Sequence, residues 1–225
     1  DYCKAHGITV YNAGGVYSAP MAEFVLGGIL QLYKESKFFA ENQAAHRWEK
    51  HRGLRELSGK TACIVGTGSV GSAIARRLRA FDVQTVGINR SGHPAAEFDQ
   101  TQPTCRLDDL LPLADLVICA MPLTAETAGL FDSVRLAKIK PGAVFVNVAR
   151  GKVTDQQALA EALQSGKLSG AVLDVFEEEP LPRSSPLWDM EQVILTPHNS
   201  FVGEHNGERL FKCIKEHLYE LSKEC

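Results

Sequence analysis

An α/β fold built on a doubly wound parallel sheet is predicted by three observations. From residue 59 onward, short β-branched apolar runs alternate with helical patterns, the signature of βαβ units. Those runs are continuously apolar, as strands are when helices cover both faces of a sheet. The first run, TACIV, leads directly into Gly66-x-Gly68-x-x-Gly71 at the opening of a helix. Right-handed crossovers then wind the sheet both ways from its first strand.

The elements follow in order. GITVYN, residues 7–12, reads as a strand. The stretch from Ser18 to about Asn42 reads as one long helix, with apolar Met21, Phe24, Val25, Leu32 and Tyr33, Ser18 as N-cap and Pro20 in the first turn. The polar HRWEKHRG, residues 46–53, reads as a connection. The sheet domain then alternates TACIV, VGSAIARRLRAF, TVGI, LDDLLPLA, DLVICA, SVRLAKIK, AVFVNV, DQQALAEALQSG, GAVLDV and QVILT. Leu210, Ile214, Leu218 and Leu221 line one face of a last helix from about Glu204 to Ser222.

Composition bounds the partners. The 225 residues are 44% hydrophobic and 23% charged, which excludes disordered and collagen-like classes. A formal net charge of -3 without long runs of one sign speaks against nucleic acid. No apolar segment reaches the roughly 18 residues that span a bilayer, and DYCKAHGITV lacks the order of a signal peptide, so a cytoplasmic protein is expected. Six cysteines, at 3, 63, 105, 119, 213 and 225, form no C-x-x-C pair and read as reduced and structural, and no ligand cluster asks for a metal. The first residue is an aspartate just ahead of a strand-like run, so the chain is expected to be a fragment.

The glycine motif fits a dinucleotide. Gly66 permits the tight turn, Gly68 lets backbone approach a pyrophosphate, and Gly71 lets helix and strand pack closely. The N–H groups of Ser69 and Val70 then face the anion with the helix dipole behind them. NAD sites usually place an acid about 20 residues on, at the end of the second strand, to hold the ribose. Here Asn89 stands there, followed by Arg90 and Ser91. A neutral amide, a hydroxyl and a guanidinium suit the 2′-phosphate of NADP, which an acid would repel. The alternative is that Arg90 stacks on the adenine while NAD remains the cofactor.

Three later stretches follow apolar strands and so fall at the ligand-binding carboxyl edge: VNVARG (146–151), LDVFEEEPLP (173–182) and ILTPHNS (194–200). With GITVYNAGG, MAEF, GTGSVG and MPLTAET, they make the chain resemble, nearly end to end, the D-isomer-specific 2-hydroxyacid dehydrogenases of the phosphoglycerate dehydrogenase and glyoxylate/hydroxypyruvate reductase kind. The resemblance implies Arg150, Glu179 and His198 as the active site. It also implies Pro122 and Asp174 at the cofactor, Asp174 serving either the nicotinamide carboxamide or the strand end. The chemistry agrees. A guanidinium fork fits the carboxylate of a 2-oxo acid, an imidazole can donate a proton to its carbonyl, and a carboxylate can hold that imidazole.

The resemblance also divides the chain. Residues 1–17 would end a truncated, flavodoxin-like substrate domain, residues 18–53 would be a linking helix and connection, residues 54–200 the dinucleotide domain, and residues 201–225 a helix returning to the substrate domain. TPHNSF replaces the glycine-rich continuation common after T-P-H, leaving the shape around His198 open. The function implied is an NADP-preferring reductase of small 2-oxo acids, or dehydrogenase of D-2-hydroxy acids. The alternative is a dinucleotide-sensing binding protein like the family's corepressors. Glu179 speaks against a formate dehydrogenase, whose branch carries glutamine there. Phe24, Phe38, Phe39 and Trp48 offer more apolar surface than one sheet domain needs, so a homodimer is expected.

Overall fold

The apolar runs become the central strands of a seven-stranded parallel sheet because each can bury both faces and pair on both edges. A computed structural model describes residues 2–224. The strands are β1 (Thr61–Val65), β2 (Gln84–Asn89), β3 (Gln100–Pro103), β4 (Leu116–Cys119), β5 (Ala143–Asn147), β6 (Leu168–Leu173) and β7 (Val193–Leu195). Their order in the sheet is β3-β2-β1-β4-β5-β6-β7. Val65 at the end of β1 lies beside Ile88 of β2 on one side and Cys119 of β4 on the other. The winding therefore reverses between β1 and β4, and a crevice opens there at the carboxyl edge.

The helices are α1 (Tyr2–Ala5), α2 (Ser18–Tyr33), α3 (Ser36–Ala44), α4 (Ser69–Arg79), α5 (Leu107–Leu110), α6 (Ser133–Lys138), α7 (Gln156–Gln164) and α8 (Asn206–Glu224). Two buried clusters explain why the strand runs do not alternate. One side of the sheet packs Cys63, Val65, Val117 and Phe145 against Leu107, Leu136 and Leu159 of α5, α6 and α7. The other packs Ile64, Ile118, Val144 and Val172 against Val25 and Ile29 of α2 and Ile74 and Leu78 of α4. Gly28 lets α2 lie close on β6, since a Cβ there would come within 2.6 Å of the Val172 side chain. Among the described residues, no helix is long and apolar enough to cross a membrane.

Four elements differ from the sequence reading. GITVYN is not a strand: Ile8, Val10 and Tyr11 are exposed, and no neighbouring strand among the described residues pairs with it. The long helix divides into α2 and α3 at Glu35, which adopts φ 50° and ψ 46°. The cause is tertiary: the returning chain donates the Arg55 N–H to the Tyr33 carbonyl at 3.0 Å, and Lys34 Nζ donates to the Arg55 carbonyl at 2.7 Å. The last helix is shifted to Asn206–Glu224. β3, QTQP, carries no apolar pattern because it is an edge strand paired on one side only.

Candidate active site

The glycine turn is shaped as the motif requires. Gly66 has φ 107°, and a Cβ there would collide with the Ala120 carbonyl and come within 2.8 Å of the Met121 nitrogen. A Cβ on Gly71 would strike the Gly66 carbonyl. Gly68 precedes α4 in extended conformation, and no side chain caps the helix, so the first-turn N–H groups of Ser69 and Val70 stay open to an anion. A cleft of about 370 Å³ beside this turn brings together Met21, Val70, Met121, Pro122, Val148 and Arg150. It thus unites three segments read separately from the sequence, and adds Met21 of α2, which periodicity alone assigns to the core.

Asn89 is placed at the end of β2, but its amide is occupied. Its Nδ2 donates to Thr67 Oγ1 at 3.2 Å and to the His93 carbonyl at 2.9 Å, and its Oδ1 accepts the Gly92 N–H at 2.7 Å. Asn89 therefore shapes the loop that carries Arg90 and Ser91. Ser91 Oγ lies 3.0 Å from His93 Nδ1. Arg90 is exposed and has no hydrogen-bond or ion-pair partner among the described residues.

Arg150 sits on the loop after β5. Asn147, only 2% exposed, stitches that loop: its Oδ1 accepts the Ala149 N–H at 3.0 Å and its Nδ2 donates to the Arg150 carbonyl at 3.2 Å. The Arg150 guanidinium donates to the Ala149 carbonyl at 2.6 Å. Asn147 escaped the residue-by-residue reading, although the N-x-x-R-G spacing signals it. The next residue, Gly151, packs against the Phe176–Glu177 backbone so closely that a Cβ would overlap it. This contact sets the Arg150 loop against the loop that carries Glu179.

His198 has φ 51°, an unusual conformation for a side-chain-bearing residue. Its backbone N–H donates to the Asp174 carbonyl at 2.8 Å, and its Nδ1 lies 2.9 Å from Glu179 Oε2. Glu179 Oε1 accepts the Phe176 N–H at 3.0 Å. Partial burial acts to raise the Glu179 pKa. The His198 hydrogen bond, the Phe176 N–H and the charges of His198 and Arg150 outweigh it and hold the carboxyl below its usual value. A carboxylate that stays ionised can fix the imidazole through Nδ1, leaving Nε2 free of any partner among the described residues.

Asp174 underlies this loop. It is fully buried; Oδ1 accepts Thr196 Oγ1 at 2.6 Å and the Asn199 N–H at 2.7 Å, and Oδ2 accepts the Ser200 N–H at 2.9 Å. These side-chain contacts all fall on the loop after β7. The same contacts settle the local shape after T-P-H: successive N–H groups of Asn199 and Ser200 close on the carboxylate without any glycine.

The model of the D-isomer specific 2-hydroxyacid dehydrogenase NAD binding domain matches residues 26–200. The chain is 38% identical over 201 residues to a D-3-phosphoglycerate dehydrogenase of Mycobacterium leprae, covering 88% of this chain and 38% of that protein. It is 34% identical over 222 residues to a glyoxylate/hydroxypyruvate reductase B of Citrobacter koseri, covering 96% of this chain and 68% of the relative. A crystal structure of a D-isomer specific 2-hydroxyacid dehydrogenase from Xanthobacter autotrophicus, in complex with NADPH and MES, superposes with a TM-score of 0.80 at 34% identity, covering 92% of this chain and 84% of the other. The chain thus spans well under half of the mycobacterial relative and about two thirds of the Citrobacter one. The chain belongs to the D-isomer specific 2-hydroxyacid dehydrogenase family, and carries its NAD-binding domain.

Proposed function

We propose that the protein reduces small 2-oxo acids, or oxidises the corresponding D-2-hydroxy acids, with NADP preferred and NAD as the alternative cofactor. What carries this reading is Arg150 lining the cleft at the α4 N-terminus while its charge helps hold Glu179 ionised, with Glu179 Oε2 2.9 Å from His198 Nδ1. The cradle at Gly66 and Gly71 fits a dinucleotide, because a side chain at either glycine would overlap backbone that must stay clear for the turn. When bound, the nicotinamide supplies the hydride.

This chain's residues do the rest. Open N–H groups of Ser69 and Val70 would bind the pyrophosphate, Pro122 would line the cofactor cleft, and Arg90 and Ser91, on the loop that Asn89 shapes, would receive the ribose and its 2′-phosphate. Arg150 would hold the substrate carboxylate and polarise the adjacent carbonyl. His198 would deliver a proton from Nε2 to the carbonyl oxygen, with Glu179 holding Nδ1. Asp174 would act through the loop it organises.

The division of the chain belongs to the same proposal: residues 1–17 and 201–225 to a substrate domain, residues 18–53 as the link, and residues 54–200 as the dinucleotide domain. Contacts between the two terminal segments support it: Tyr11 stacks on His217 at 4.4 Å and Arg209 Nε donates to the Val16 carbonyl at 2.7 Å. Exposed Phe39 and Trp48, the latter 98% exposed, support a homodimer through the α3 region, and the free thiols of Cys63 and Cys119 support a reducing, cytoplasmic setting.

The test is oxidation of NADPH and NADH by the full-length protein across glyoxylate, pyruvate, hydroxypyruvate and bulkier 2-oxo acids. NADPH-dependent turnover that His198→Ala abolishes is expected; tight dinucleotide binding without turnover on any acid would overturn it. A monomeric mass in sedimentation at micromolar concentration would overturn the dimer.

A further inference from the structure

The Glu179–His198 pair borders a space of its own. Arg150 lines the cleft at the α4 N-terminus, whereas Glu179 and His198 line a separate pocket of about 320 Å³ together with Phe176, Leu181, Trp188 and Leu195. Phe176 and Leu181 are buried, while Trp188 is 53% exposed and forms the solvent side of the pocket. That indole is fixed at two points. It sits in the short turn Pro186–Asp189, which buried Leu187 anchors and in which Ser185 Oγ accepts the Leu187 N–H at 3.4 Å. Its Nε1 donates to the Pro182 carbonyl at 3.0 Å. A large ring held in this way keeps its face ready for a ligand at little entropic cost.

The side-chain donors on these walls are already engaged. Trp188 Nε1 is spent on Pro182, Thr196 Oγ1 donates to Asp174 Oδ1 at 2.6 Å, and His198 Nδ1 lies 2.9 Å from Glu179 Oε2. An oxygen-bearing substituent placed there would give up water without meeting a free donor, and an ionised Glu179 would repel a phosphate or a second carboxylate. Apolar carbon gains by entering the same space, because it leaves water for contact with aromatic and aliphatic walls.

We propose that this pocket receives the side chain of the 2-oxo acid, that the preferred substrates carry a branched aliphatic or aromatic group there, and that Trp188 determines this specificity. The inference rests on the reading of the protein as a 2-oxo acid reductase and narrows its substrate class. The reacting carbon bears three groups. With the carboxylate at Arg150 and the oxygen at His198, the third needs a space that adjoins His198 and is not the cofactor cleft. The pocket at Trp188 meets both conditions.

The experiment is steady-state reduction of glyoxylate, hydroxypyruvate, 4-methyl-2-oxopentanoate and phenylpyruvate by the full-length protein, with saturating NADPH and separately NADH, comparing wild type, Trp188→Ala and Trp188→Phe. Wild type is expected to show kcat/KM about tenfold or more higher for the two apolar acids than for glyoxylate. Trp188→Ala should lower kcat/KM for the apolar acids about tenfold, mainly through KM. Glyoxylate, which carries only hydrogen at that place, should lose less, and Trp188→Phe should restore most of the difference. A wild-type preference for glyoxylate or hydroxypyruvate, or an equal loss or none across all four acids in Trp188→Ala, would overturn the proposal while the reductase reading stands. Absence of turnover on every acid would overturn that reading and this proposal with it.

Discussion

Two loops at the same edge of the sheet are held in opposite ways. The loop after β7 is fixed from beneath: a carboxylate with no solvent exposure gathers Thr196, Asn199 and Ser200, and forces His198 into a left-handed backbone conformation above it. The loop after β2 is shaped by Asn89 and exposes Arg90, which has no hydrogen-bond or ion-pair partner among the described residues. The difference follows from the work proposed for each. A group that moves a proton must stand within a few tenths of an ångström of its target before the ligand arrives. A charge that meets a phosphate can wait in solvent, because its partner brings the order with it.

The largest test of that contrast is His198→Ala. It should lower turnover of 2-oxo acids by about 10²- to 10⁴-fold while NADPH affinity, read by fluorescence titration, stays near wild type. Equal losses in both would mean that the loop holds cofactor and the contrast is misdrawn. Asp174→Ala comes next. It leaves three donors without an acceptor, one buried and two part-buried, and the expected loss is about 1–3 kcal/mol in urea unfolding; a wild-type midpoint would break the claim that the loop is built from beneath.

Arg90→Ala should move stability by less than about 0.5 kcal/mol yet weaken NADPH about tenfold, with NADH nearly unaffected. A stability loss comparable to that of Asp174→Ala would make the two loops alike. The smallest effect lies at the opposite, amino edge, where Asp115 accepts the Thr61 N–H at 3.0 Å and pairs with Lys140 at 2.7 Å. Burial acts to raise its pKa, but Lys140 and the Thr61 N–H prevail and hold it low. A depressed carboxylate stabilises the fold above its unfolded value, near pH 4, and that contribution fades as pH falls through the folded value. Asp115→Asn should therefore reduce stability at neutral pH slightly and flatten the acid limb below about pH 4; an unchanged acid limb in chemical unfolding would refute it.

The sequence made the parallel sheet legible because each central strand must satisfy two apolar faces at once, and such runs have no other reading. It made the glycine turn legible because contacts at Gly66 and Gly71 tolerate no side chain. Tertiary events left weaker marks. The break at Glu35 is set by a hydrogen bond from Arg55, twenty residues on, in a stretch without glycine or proline. β3 is polar because an edge strand need not bury a face, and GITVYN has the composition of a strand but pairs with no strand among the described residues. Asp174 could be placed at the cofactor edge from its stretch. That its carboxylate faces inward, toward Asn199 and Ser200, depends on a loop whose path no periodicity encodes.

The seam at Gly151 gives the proposed site a property that resembles a machining tolerance. Because the Arg150 and Glu179 loops meet backbone to backbone there, with no room for even one added carbon, the spacing of cation and carboxylate is not adjustable by side-chain choice at that seam. Any attempt to widen the site for a larger acid would have to leave this joint alone and take its space from elsewhere in the cleft. Substrate range in such a scaffold can therefore drift freely on one side of the reacting centre while the other stays at a fixed gauge.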